Sequence, residues 1–512
     1  MTTFWMRFKR TVYLVHRWAG IAACILMALW FASGVVMLFV GYPKLTPWER
    51  LASLPVLQAS DCCISIDKAL LQVHAPASVQ EITLTSIAGV PHYKLRQSNG
   101  RYLVVNAASG VPEPPAGEQQ AIRAARSFIA SANATYLGHI HEDTWTHSRS
   151  LNPHRPLHRV QMDDKDETLL YVSSSTGEVV MDAPRAQRAW NYIGAWLHWL
   201  YVFRTHAVDP IWSWTVIALS GVGLLAALTG TLVGLWRWRF RSPYKSGSRS
   251  PYQGGYLRWH HLSGLIFAAI TCTWIFSGLM SMNPAGLFNP KGLPDQTSYR
   301  GEPPGTIQLP LSTPEALAIL ENEDFHASEI EWRVLGGAPY LLARNAANAT
   351  RLVVWTGHTY AALKQWPDSA LLKAAPHLMD APIASHQRIV HYDSYYYGRQ
   401  TQSMYGASER RLPALRIDFD DPDKTWVYLD PYTGNIELSI SQSQRTGRWL
   451  FNFLHSWDLP PLLQAGLARD IALILLSLGG LILCVTGIKI GYNRLRVRFL
   501  KSLHNGNTMR KC

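Results

Sequence analysis

The stretch HRWAGIAACILMALWFASG at residues 16–34 returns in related form as HHLSGLIFAAITCTWIFSG at residues 260–278. The two copies share a histidine at the start, a glycine four positions later, a tryptophan, and a Ser-Gly pair at the end. Internal repeats of this kind reveal architecture before any local pattern does. The two segments therefore indicate that the chain consists of two related halves.

A second register relates the later parts of the halves at a constant separation of 257 residues, without gaps. The matched positions include Arg159/Arg416, Asp163/Asp420, Asp164/Asp421, Tyr171/Tyr428, Thr176/Thr433, Gly177/Gly434, Gln187/Gln444, Arg188/Arg445, His198/His455, Ser220/Ser477, Thr229/Thr486 and Gly230/Gly487. Two halves of the same order and orientation predict a parallel duplication with its axis along the membrane normal.

Four segments are apolar and long enough to cross a bilayer as helices, which takes about 20 residues. The predicted spans are 18–40, 211–236, 262–282 and 471–488. The first is long and lacks a small-residue cleavage site after it, so we interpret it as an anchor and not as a removed signal peptide. A short apolar helix with a histidine is predicted before the second span and before the fourth, at 187–203 and 444–457.

Positive charge is concentrated in three segments outside the spans: 1–17, 237–258 and 489–512. Together they hold 17 Lys and Arg residues and no acid, whereas the rest of the chain has 31 bases against 35 acids. Because basic loops stay in the cytoplasm, both termini and the middle loop are predicted to be cytoplasmic, and regions 41–186 and 283–443 to lie outside. The excess of Lys and Arg over Asp and Glu is explained by membrane topology and by contact with lipid head groups. It gives no reason to expect a nucleic-acid partner.

The outward regions are predicted to be α+β. Helical periodicity in ISIDKALLQVHA (64–75), EQQAIRAARSFIASA (118–132) and LSTPEALAILENE (311–323) alternates with strand-like runs such as LHRVQMD (157–163). A helix followed by a hairpin or a three-stranded sheet recurs about twice in each region. The predicted fold class is an α-helical membrane protein with four transmembrane helices in two duplicated halves, each with an outward α+β domain. No CxxC or CxxCH pattern predicts a zinc site or a covalently attached haem.

Four histidines follow the duplication: His16 with His260 at the cytoplasmic ends of spans one and three, and His198 with His455 near the outer face. Ionisable residues in apolar spans are functional hypotheses by default. Two matched pairs at opposite faces are what two bis-histidine b-type haems require, because haem iron takes axial ligands on both sides of its ring. The alternatives are a structural role for all four, or ligation by the nearby, unmatched His261 or His206.

Small residues share the helix face of His16. Gly20 lies four residues after it and Gly34 lies 18 residues after it, about five turns and roughly 27 Å along the helix. This face would offer a ligand at one membrane side and clearance for a flat macrocycle at the other. The second and fourth spans carry stripes of their own, Ser220, Gly223, Ala227, Gly230, Gly234 and Ser477, Gly480, Cys484, Gly487, Gly491. Helix packing alone is the other interpretation of such stripes.

Several motifs in combination resemble the PepSY-associated transmembrane family: HRWAGI (16–21), DSYYYGR (393–399), RRLPALRIDFDDPDKTWVYLDPYTGNIE (410–437), GRWLFNFLHSWDLP (447–460) and LSLGGLILCVTGIKIGYNRLR (476–496). The resemblance covers almost the whole chain. It implies four spans, periplasmic PepSY modules and a location in the bacterial inner membrane, with His16 and His260 as the span-end histidines and His198 and His455 as the LHS-type histidines. In the first half, WLHWLYVF (196–203) and HEDTWTHSRS (141–150) depart from the LHS and DSYYY patterns but keep the membrane histidines.

Members of this family are linked with iron uptake, and some are similar to haem-containing reductases of ferric siderophores. The resemblance therefore implies two haem b groups, one bound by His198 and His455 and one by His16 and His260, which pass electrons to a periplasmic ferric siderophore. No catalytic residue is assigned. No GxGxxG unit in a βαβ context and no large cytoplasmic domain is present for a flavin or NADPH, so the expected donor is quinol or a separate reductase.

The segment HQRIVHYDSYYYGRQTQSMYG (386–406) is the richest candidate for the acceptor site. Residues of it that suit an anionic or aromatic chelate are His386, His391, Tyr395, Tyr396, Tyr397, Arg399 and Met404, although the tyrosines could instead pack between domain and membrane. His139, His141 and His147 are candidates for a periplasmic metal site. Two other functions stay open: a haem-free, membrane-anchored regulator or sensor of periplasmic peptidase activity, and a siderophore transporter, which would need polar or broken helices at mid-membrane.

Overall fold

The computed structural model describes residues 2–59, 62–73, 76–204, 209–306, 311–399 and 410–509, with side chains described from residue 3 to residue 497. In each half a long apolar helix leads into two modules of helix and sheet, then into a short helix with a histidine, and finally into another long helix. The order of the elements is similar in both halves, although in the second half the first long helix is divided in two and two additional short helices precede the last long helix.

The helices and strands of the first half follow one another along the described chain. They are α1 (Thr2–Met37), α2 (Pro47–Ala52), α3 (Ile66–Leu70), β1 (Val79–Ile87), β2 (Val90–Gln97), β3 (Tyr102–Asn106), β4 (Pro112–Glu113), α4 (Glu118–Phe128), β5 (Ala134–Ile140), β6 (Leu157–Met162), β7 (Leu169–Ser173), β8 (Val179–Ala183), α5 (Arg185–Asn191) and α6 (Pro210–Arg237).

The second half repeats this series. Its elements are α7 (Gly255–Ile266), α8 (Ala268–Ser281), α9 (Gln296–Arg300), α10 (Thr313–Asn322), β9 (Glu329–Leu335), β10 (Ala338–Arg344), β11 (Thr350–Trp355), β12 (Tyr360–Leu363), α11 (Asp368–Ala374), β13 (Ile383–Ile389), β14 (Ala414–Phe419), β15 (Trp426–Leu429), β16 (Ile436–Ile440), α12 (Gln442–Gly447), α13 (Leu454–Ser456), α14 (Pro460–Gln464) and α15 (Leu467–Met509).

The first modules of the two halves form one sheet of eight strands, in the order β12-β11-β10-β9-β1-β2-β3-β4. β1 pairs antiparallel with β9, with Ile82 opposite Trp332 and Leu84 opposite Ile330, and α3 and α10 contribute to the core that covers the sheet. Alone, each module would expose the edge of β1 or β9 to unwanted pairing, and joining the edges removes it. The sequence predicted one α+β domain in each half; the structure instead joins the halves through this pair of strands.

An ion pair connects the halves at the same place. Arg50 of α2 donates two hydrogen bonds, 2.8 and 2.7 Å long, to the carboxylate of Glu329 on β9, whose side chain is only 4% exposed. Burial raises the pKa of Glu329, but the positive charge of Arg50 outweighs it and holds that pKa below its usual range. Glu329 is therefore buried as a charged, paired group, and removal of its partner would be strongly unfavourable.

The second module of each half has its own antiparallel sheet, in the order β5-β6-β7-β8 or β13-β14-β15-β16. Ala121 of α4 packs with Val160 in the core of the first, and Leu371 of α11 packs with Ile417 in the core of the second. Each module is therefore a helix followed by a four-stranded sheet, one strand more than the sequence predicted.

The long helices pack side by side: α1 against α6 and α15, α15 against α7, and α6 against α8. Their contacts bury Met27, Phe31 and Ile275, while large apolar residues such as Leu228 and Leu475 stay exposed on the outside. Among the described residues α1, α6 and α15 are long and apolar enough to cross a membrane, and α7 with α8 would make a fourth crossing. An exposed apolar surface of this extent indicates a membrane protein.

The expected span 262–282 is not one straight helix. α7 and α8 are bent by 70° relative to each other at Phe267, which has non-helical dihedral angles (φ −101°, ψ 11°). A Cβ at Gly479 of α15 would overlap the Phe267 ring. The first half has Ala23 at the matched position, and α1 is continuous there. The large ring packed onto α15 accounts for the bend in the second half.

Candidate functional site

The helices that carry the outer histidines end abruptly. α5 continues as a π-helix over Tyr192–Trp196, and α12 continues as a π-helix over Arg448–Phe453. Two residues after each histidine, Leu200 (φ 54°) and Trp457 (φ 51°) adopt the left-handed conformation, which costs about 1–2 kcal/mol for a residue other than glycine. Both features are typical of functional sites. The sequence predicted helices over 187–203 and 444–457 but neither the π-helices nor these turns.

His198 and His455 face each other across the two halves, with ring centroids 6.1 Å apart. The Nδ1 atom of each ring lies 3.0 Å from a serine Oγ, that of Ser33 for His198 and that of Ser277 for His455. Both serine hydroxyls donate their hydrogen to main-chain carbonyls of their own helix. Each serine oxygen therefore accepts a hydrogen bond from the imidazole, so Nδ1 carries the proton and Nε2 keeps its lone pair.

His16 and His260 form the second pair, with ring centroids 6.2 Å apart and ring planes inclined by 30°. Here main-chain carbonyls replace the serines: Nδ1 of His16 donates to the Ala226 oxygen at 3.1 Å, and Nδ1 of His260 donates to the Leu483 oxygen at 3.2 Å. Ala226 and Leu483 are themselves 257 positions apart. Because a carbonyl only accepts hydrogen bonds, Nδ1 is again protonated and Nε2 again keeps its lone pair.

The spacing of both pairs suits one metal ion between the rings. Two metal–imidazole bonds of about 2.0 Å on opposite sides of one ion place the ring centroids roughly 6 Å apart. The hydrogen bonds at Nδ1 orient the rings in the way that metal-binding histidines are normally oriented. Among the described residues no group of three or more His, Cys, Asp and Glu side chains could hold a metal ion. Each pair therefore offers two ligands, and a metal bound there would need further ligands from a cofactor.

A matched glycine lies against each of the four imidazoles, most closely against the inner pair. A Cβ on Gly230 would lie 2.6 Å from Cε1 of His16, and a Cβ on Gly487 would lie 3.3 Å from Cε1 of the matched ring. Gly34 and Gly278 lie beside the outer pair, where a Cβ would make ordinary van der Waals contact at 3.7 and 3.8 Å. The sequence predicted that Gly34 clears space for a macrocycle; in the structure it lines the cavity beside His198 and lies in van der Waals contact with the His198 ring.

A cavity opens beside each pair. The His198–His455 cavity is lined by aromatic and small side chains, including Trp30, Phe31, Trp199, Trp274, Ser220 and Ser477. The His16–His260 cavity is lined by small residues such as Gly20 and Gly264 and by Arg17, Arg237 and Arg494. No atom lies within 4 Å of a Cβ placed on Gly20, so the clearance predicted beside His16 is present in the structure.

The alternative ligand His261 is engaged through both nitrogens. Its Nε2 donates to the Gly234 carbonyl at 3.0 Å, and its Nδ1 accepts from the Ser250 hydroxyl at 2.8 Å. These bonds tie the loop before α7 to α6 and occupy both ring nitrogens, which argues against a ligand role. The other alternative, His206, lies outside the described residues.

The first-half histidines proposed as a metal site do not converge in the described part of the chain. His147 pairs with Glu142, and His139 meets His158 edge-on with centroids 6.3 Å apart. Since His139 and His147 have different partners, they do not form a common metal site with His141.

The structure separates the residues that the sequence grouped as an acceptor site. Tyr396 and Tyr397 are buried, and their hydroxyls donate to the Arg411 carbonyl and to the Asp458 carboxylate, each at 2.8 Å. Arg399 is buried as well. This geometry favours packing over ligand contact for the two buried tyrosines.

The remaining members of that group lie nearer the surface. His386 and His391 are exposed, and Tyr395 is half-buried with its ring edge-on to Trp426 and Trp449. Met404 lies outside the described residues. Of the tyrosines in the group, only Tyr395 is thus partly accessible.

A buried ion pair anchors the tyrosine segment to the helix of His455. Nη1 of Arg448 lies 2.8 Å from Oδ1 of Asp458, with both side chains at most 4% exposed, and Arg448 Nε donates to the Ser394 carbonyl at 2.9 Å. The first half has Asn191 and Tyr201 at the positions matched to the ion pair. The anchor is thus a property of the second half alone, as is the DSYYY motif.

Comparison with known families adds an independent observation. A family model of the PepSY-associated TM region matches residues 13–494. The chain belongs to the PepSY-associated transmembrane family. The part that matches the family model contains all four paired histidines and the four glycines that lie against them, Gly34, Gly230, Gly278 and Gly487. No curated protein shows a significant match to the chain.

Proposed function

We propose that the protein is a transmembrane di-haem b oxidoreductase of the bacterial inner membrane, which passes electrons to a ferric siderophore in the periplasm. The observation that carries this proposal is the geometry of the histidine pairs. Both pairs have ring centroids 6.1–6.2 Å apart and a hydrogen bond at every Nδ1, so every Nε2 is available to an iron between the rings.

The residues present fit two haems. His198 and His455 would supply the axial ligands on one side of the membrane, and His16 and His260 on the other. When bound, the two haems would supply a path for single electrons across the bilayer, with potentials set by axial ligands and burial. With α1, α6, α7–α8 and α15 as four spans, the basic segments support a topology with both termini in the cytoplasm and the sheets in the periplasm.

The wall between the cavities is thin. Along α6, Ser220 lines one cavity and Ala226 the other, and along α15 Ser477 and Leu483 do the same. Six residues of helix span about 9 Å, and Phe31 fills the space between α1 and α15, where a Cβ on Gly480 would overlap its ring. A barrier of this thickness, packed with an aromatic side chain, favours electron transfer between the two sites.

An open basin on the sheet-containing part is the candidate acceptor surface. It is lined by the aromatic and basic residues Trp48, Tyr392, Arg410, Arg411 and Tyr432. Guanidinium groups and aromatic faces suit an anionic, partly aromatic chelate. Reduction of its ferric iron to ferrous iron weakens binding by hard oxygen ligands and permits release. The donor would be quinol or a separate reductase.

The test is oxidation of the reduced protein by a ferric siderophore. Detergent-purified protein is reduced under anaerobic conditions and mixed with the ferric chelate, while a ferrous-specific chromogenic chelator traps the product. We expect the visible bands of the reduced haems to decay as ferrous iron appears. Persistence of the reduced spectrum through excess ferric chelate would overturn the proposed acceptor.

The regulator hypothesis draws support from the four helix-and-sheet modules, because PepSY modules alone resemble inhibitory modules of peptidases. It gives no reason for four imidazoles oriented in facing pairs.

The transporter hypothesis draws support from the bend at Phe267. However, the Phe267 amide donates to the Ser263 carbonyl and the Phe267 carbonyl accepts from the Thr271 amide, at 2.8 and 2.9 Å. The bend therefore leaves these main-chain groups paired, unlike the unwound ion sites of transporters.

A further inference from the structure

Two arginines stand at matched places on the wall of the His16–His260 cavity. Arg237 on α6 and Arg494 on α15 both line it and are 257 positions apart. Each follows by seven residues the glycine that lies against a ligand ring, Gly230 or Gly487. Seven residues are two turns, about 10.5 Å along the helix and within about 20° of the same face. Each arginine is therefore placed where it can reach the edge of a planar group held between the two rings.

The positive charge of the arginines in this cavity is not balanced by acidic residues in the described lining. The described lining includes Arg17, Arg237 and Arg494 but no Asp or Glu, whereas the described lining of the other cavity holds no Lys, Arg, Asp or Glu. Arg237 donates from Nε to the Tyr13 hydroxyl at 3.1 Å, a contact that uses one of the five donors of a guanidinium. Guanidinium groups bind carboxylates in bidentate fashion, so a matched pair is suited to two carboxylates.

We propose that Arg237 and Arg494 bind the two propionate carboxylates of the haem held by His16 and His260, one arginine to each. The assignment rests on the proposed haem function. A haem carries both carboxylates at one edge, and a haem held by His16 and His260 would lie between the two halves, because each half provides one of these histidines. The matched arginines, also one from each half, meet that edge from both sides and direct it toward the cytoplasm.

Basic residues at cytoplasmic helix ends also serve topology, and the chain offers a matched control for that role. Arg239 and Arg496 are two residues further on, are also 257 positions apart, and lie outside the described lining of the cavity. Loss of this pair removes the same charge from the same membrane face. A propionate role predicts different results for the two pairs, and a purely topological role predicts the same result.

The experiment compares Arg237→Gln/Arg494→Gln with Arg239→Gln/Arg496→Gln in full-length protein. Haem per chain is counted, and loss of haem to excess apomyoglobin is timed. We expect the first variant to release one of its two haems at least tenfold faster than the wild type, and the second to match the wild type. Arg237→Lys/Arg494→Lys should retain the charge and show an intermediate rate. Equal rates for both Gln variants would overturn the assignment.

Haem dimethyl ester, which lacks the carboxylates, provides a second readout that does not depend on how well the variants fold. Wild-type protein stripped of haem should bind haem more tightly than the ester at the His16–His260 site, and equal affinity would overturn the assignment. A wild-type protein that binds no haem at all would instead overturn the proposed function, and the arginine assignment with it. The two failures are therefore distinguishable.

Discussion

At the scale of the residue, each of the four histidines has its Nδ1 proton fixed by an acceptor on a neighbouring helix. The outer pair uses Ser33 and Ser277, and the inner pair uses main-chain carbonyls of α6 and α15. Such acceptors set the tautomer and orient the ring for metal binding. The Ser-Gly repeat was visible in the sequence, but its role was not, because serine and glycine are also common in plain helix packing.

The serine acceptors lead to a prediction about one haem site only. In Ser33→Ala and Ser277→Ala the Nδ1 proton loses its partner, and loss of such a partner weakens metal binding by about 10–100-fold. We expect weaker haem binding at His198–His455 and no change at His16–His260, measured by haem counts during titration. Ser281→Ala is the control, because Ser281 lines the same cavity but donates to the Gly278 carbonyl. Equal losses in control and test variants would contradict the prediction.

The glycines against the inner rings should differ in their tolerance of a methyl group. Gly230→Ala places a Cβ 2.6 Å from the His16 ring, whereas Gly487→Ala places one 3.3 Å from the His260 ring. Contacts below about 3 Å force the ring to move, and ligand displacement of this size perturbs the iron site. We therefore expect altered low-spin EPR signals and reduced haem content in Gly230→Ala, and smaller changes in Gly487→Ala. The reverse order would show that the rings occupy other positions.

At the scale of the element, sequence periodicity predicted the positions of the long helices. It predicted their ends and their irregularities less well. The predicted span 211–236 corresponds to α6, Pro210–Arg237, whereas the predicted span 18–40 corresponds to a helix that runs from Thr2 to Met37. The bend at Phe267 and the π-helices before His198 and His455 were not predicted. They depend on tertiary packing, such as the Phe267 ring on Gly479, which the local sequence does not record.

The pairing of β1 with β9 was not predicted either, because pairing between strands that are distant in the sequence leaves no local signal.

The ion pair between Arg50 and Glu329 at this junction can be tested. Arg50→Gln leaves Glu329 buried without its partner, which should cost about 3–5 kcal/mol of stability at neutral pH. In the wild type the Glu329 pKa is lowered on folding, so its contribution is present above about pH 4.3 and lost as the pH falls further. Without Arg50, burial raises that pKa and only the more weakly acting charges of Lys94 and Arg344 oppose it, so acid should relieve the defect. Thermal unfolding from pH 7 down to about pH 2, the folded-state pKa of Glu329, measures both trends; a variant with wild-type stability would contradict this role.

At the scale of the whole molecule, the duplication is what made the histidine pairs predictable from the sequence. Matched positions on helix faces that point towards the axis relating the halves come together across it, and His16 with His260 and His198 with His455 do so. The duplication gives no such guide to the proposed acceptor site. Tyrosines suit both ligands and packing, and the burial of Tyr396 and Tyr397 depends on Arg411 and Asp458, far away in the sequence.

The basin proposed as the acceptor surface gives a prediction for the proposed reductase activity. Arg410 lies within 6 Å of the rings of Tyr396 and Tyr397 (5.9 and 5.7 Å) and lines the open basin. Arg410→Gln should raise KM for an anionic ferric chelate by about tenfold, the loss expected for one charged hydrogen bond of roughly 1.4 kcal/mol, with unchanged haem spectra. Arg185→Gln, at an exposed ion pair, is the control. An unchanged KM for Arg410→Gln would move the acceptor away from this basin.

The most direct test of two bis-histidine haems is a reduced-minus-oxidised visible spectrum of the purified wild-type protein with a pyridine haemochrome count. We predict low-spin b-type bands at two haems per chain, with one lost in His198→Ala and the other in His16→Ala. A colourless protein from haem-replete cells would contradict the di-haem function and leave the PepSY regulator as the better explanation.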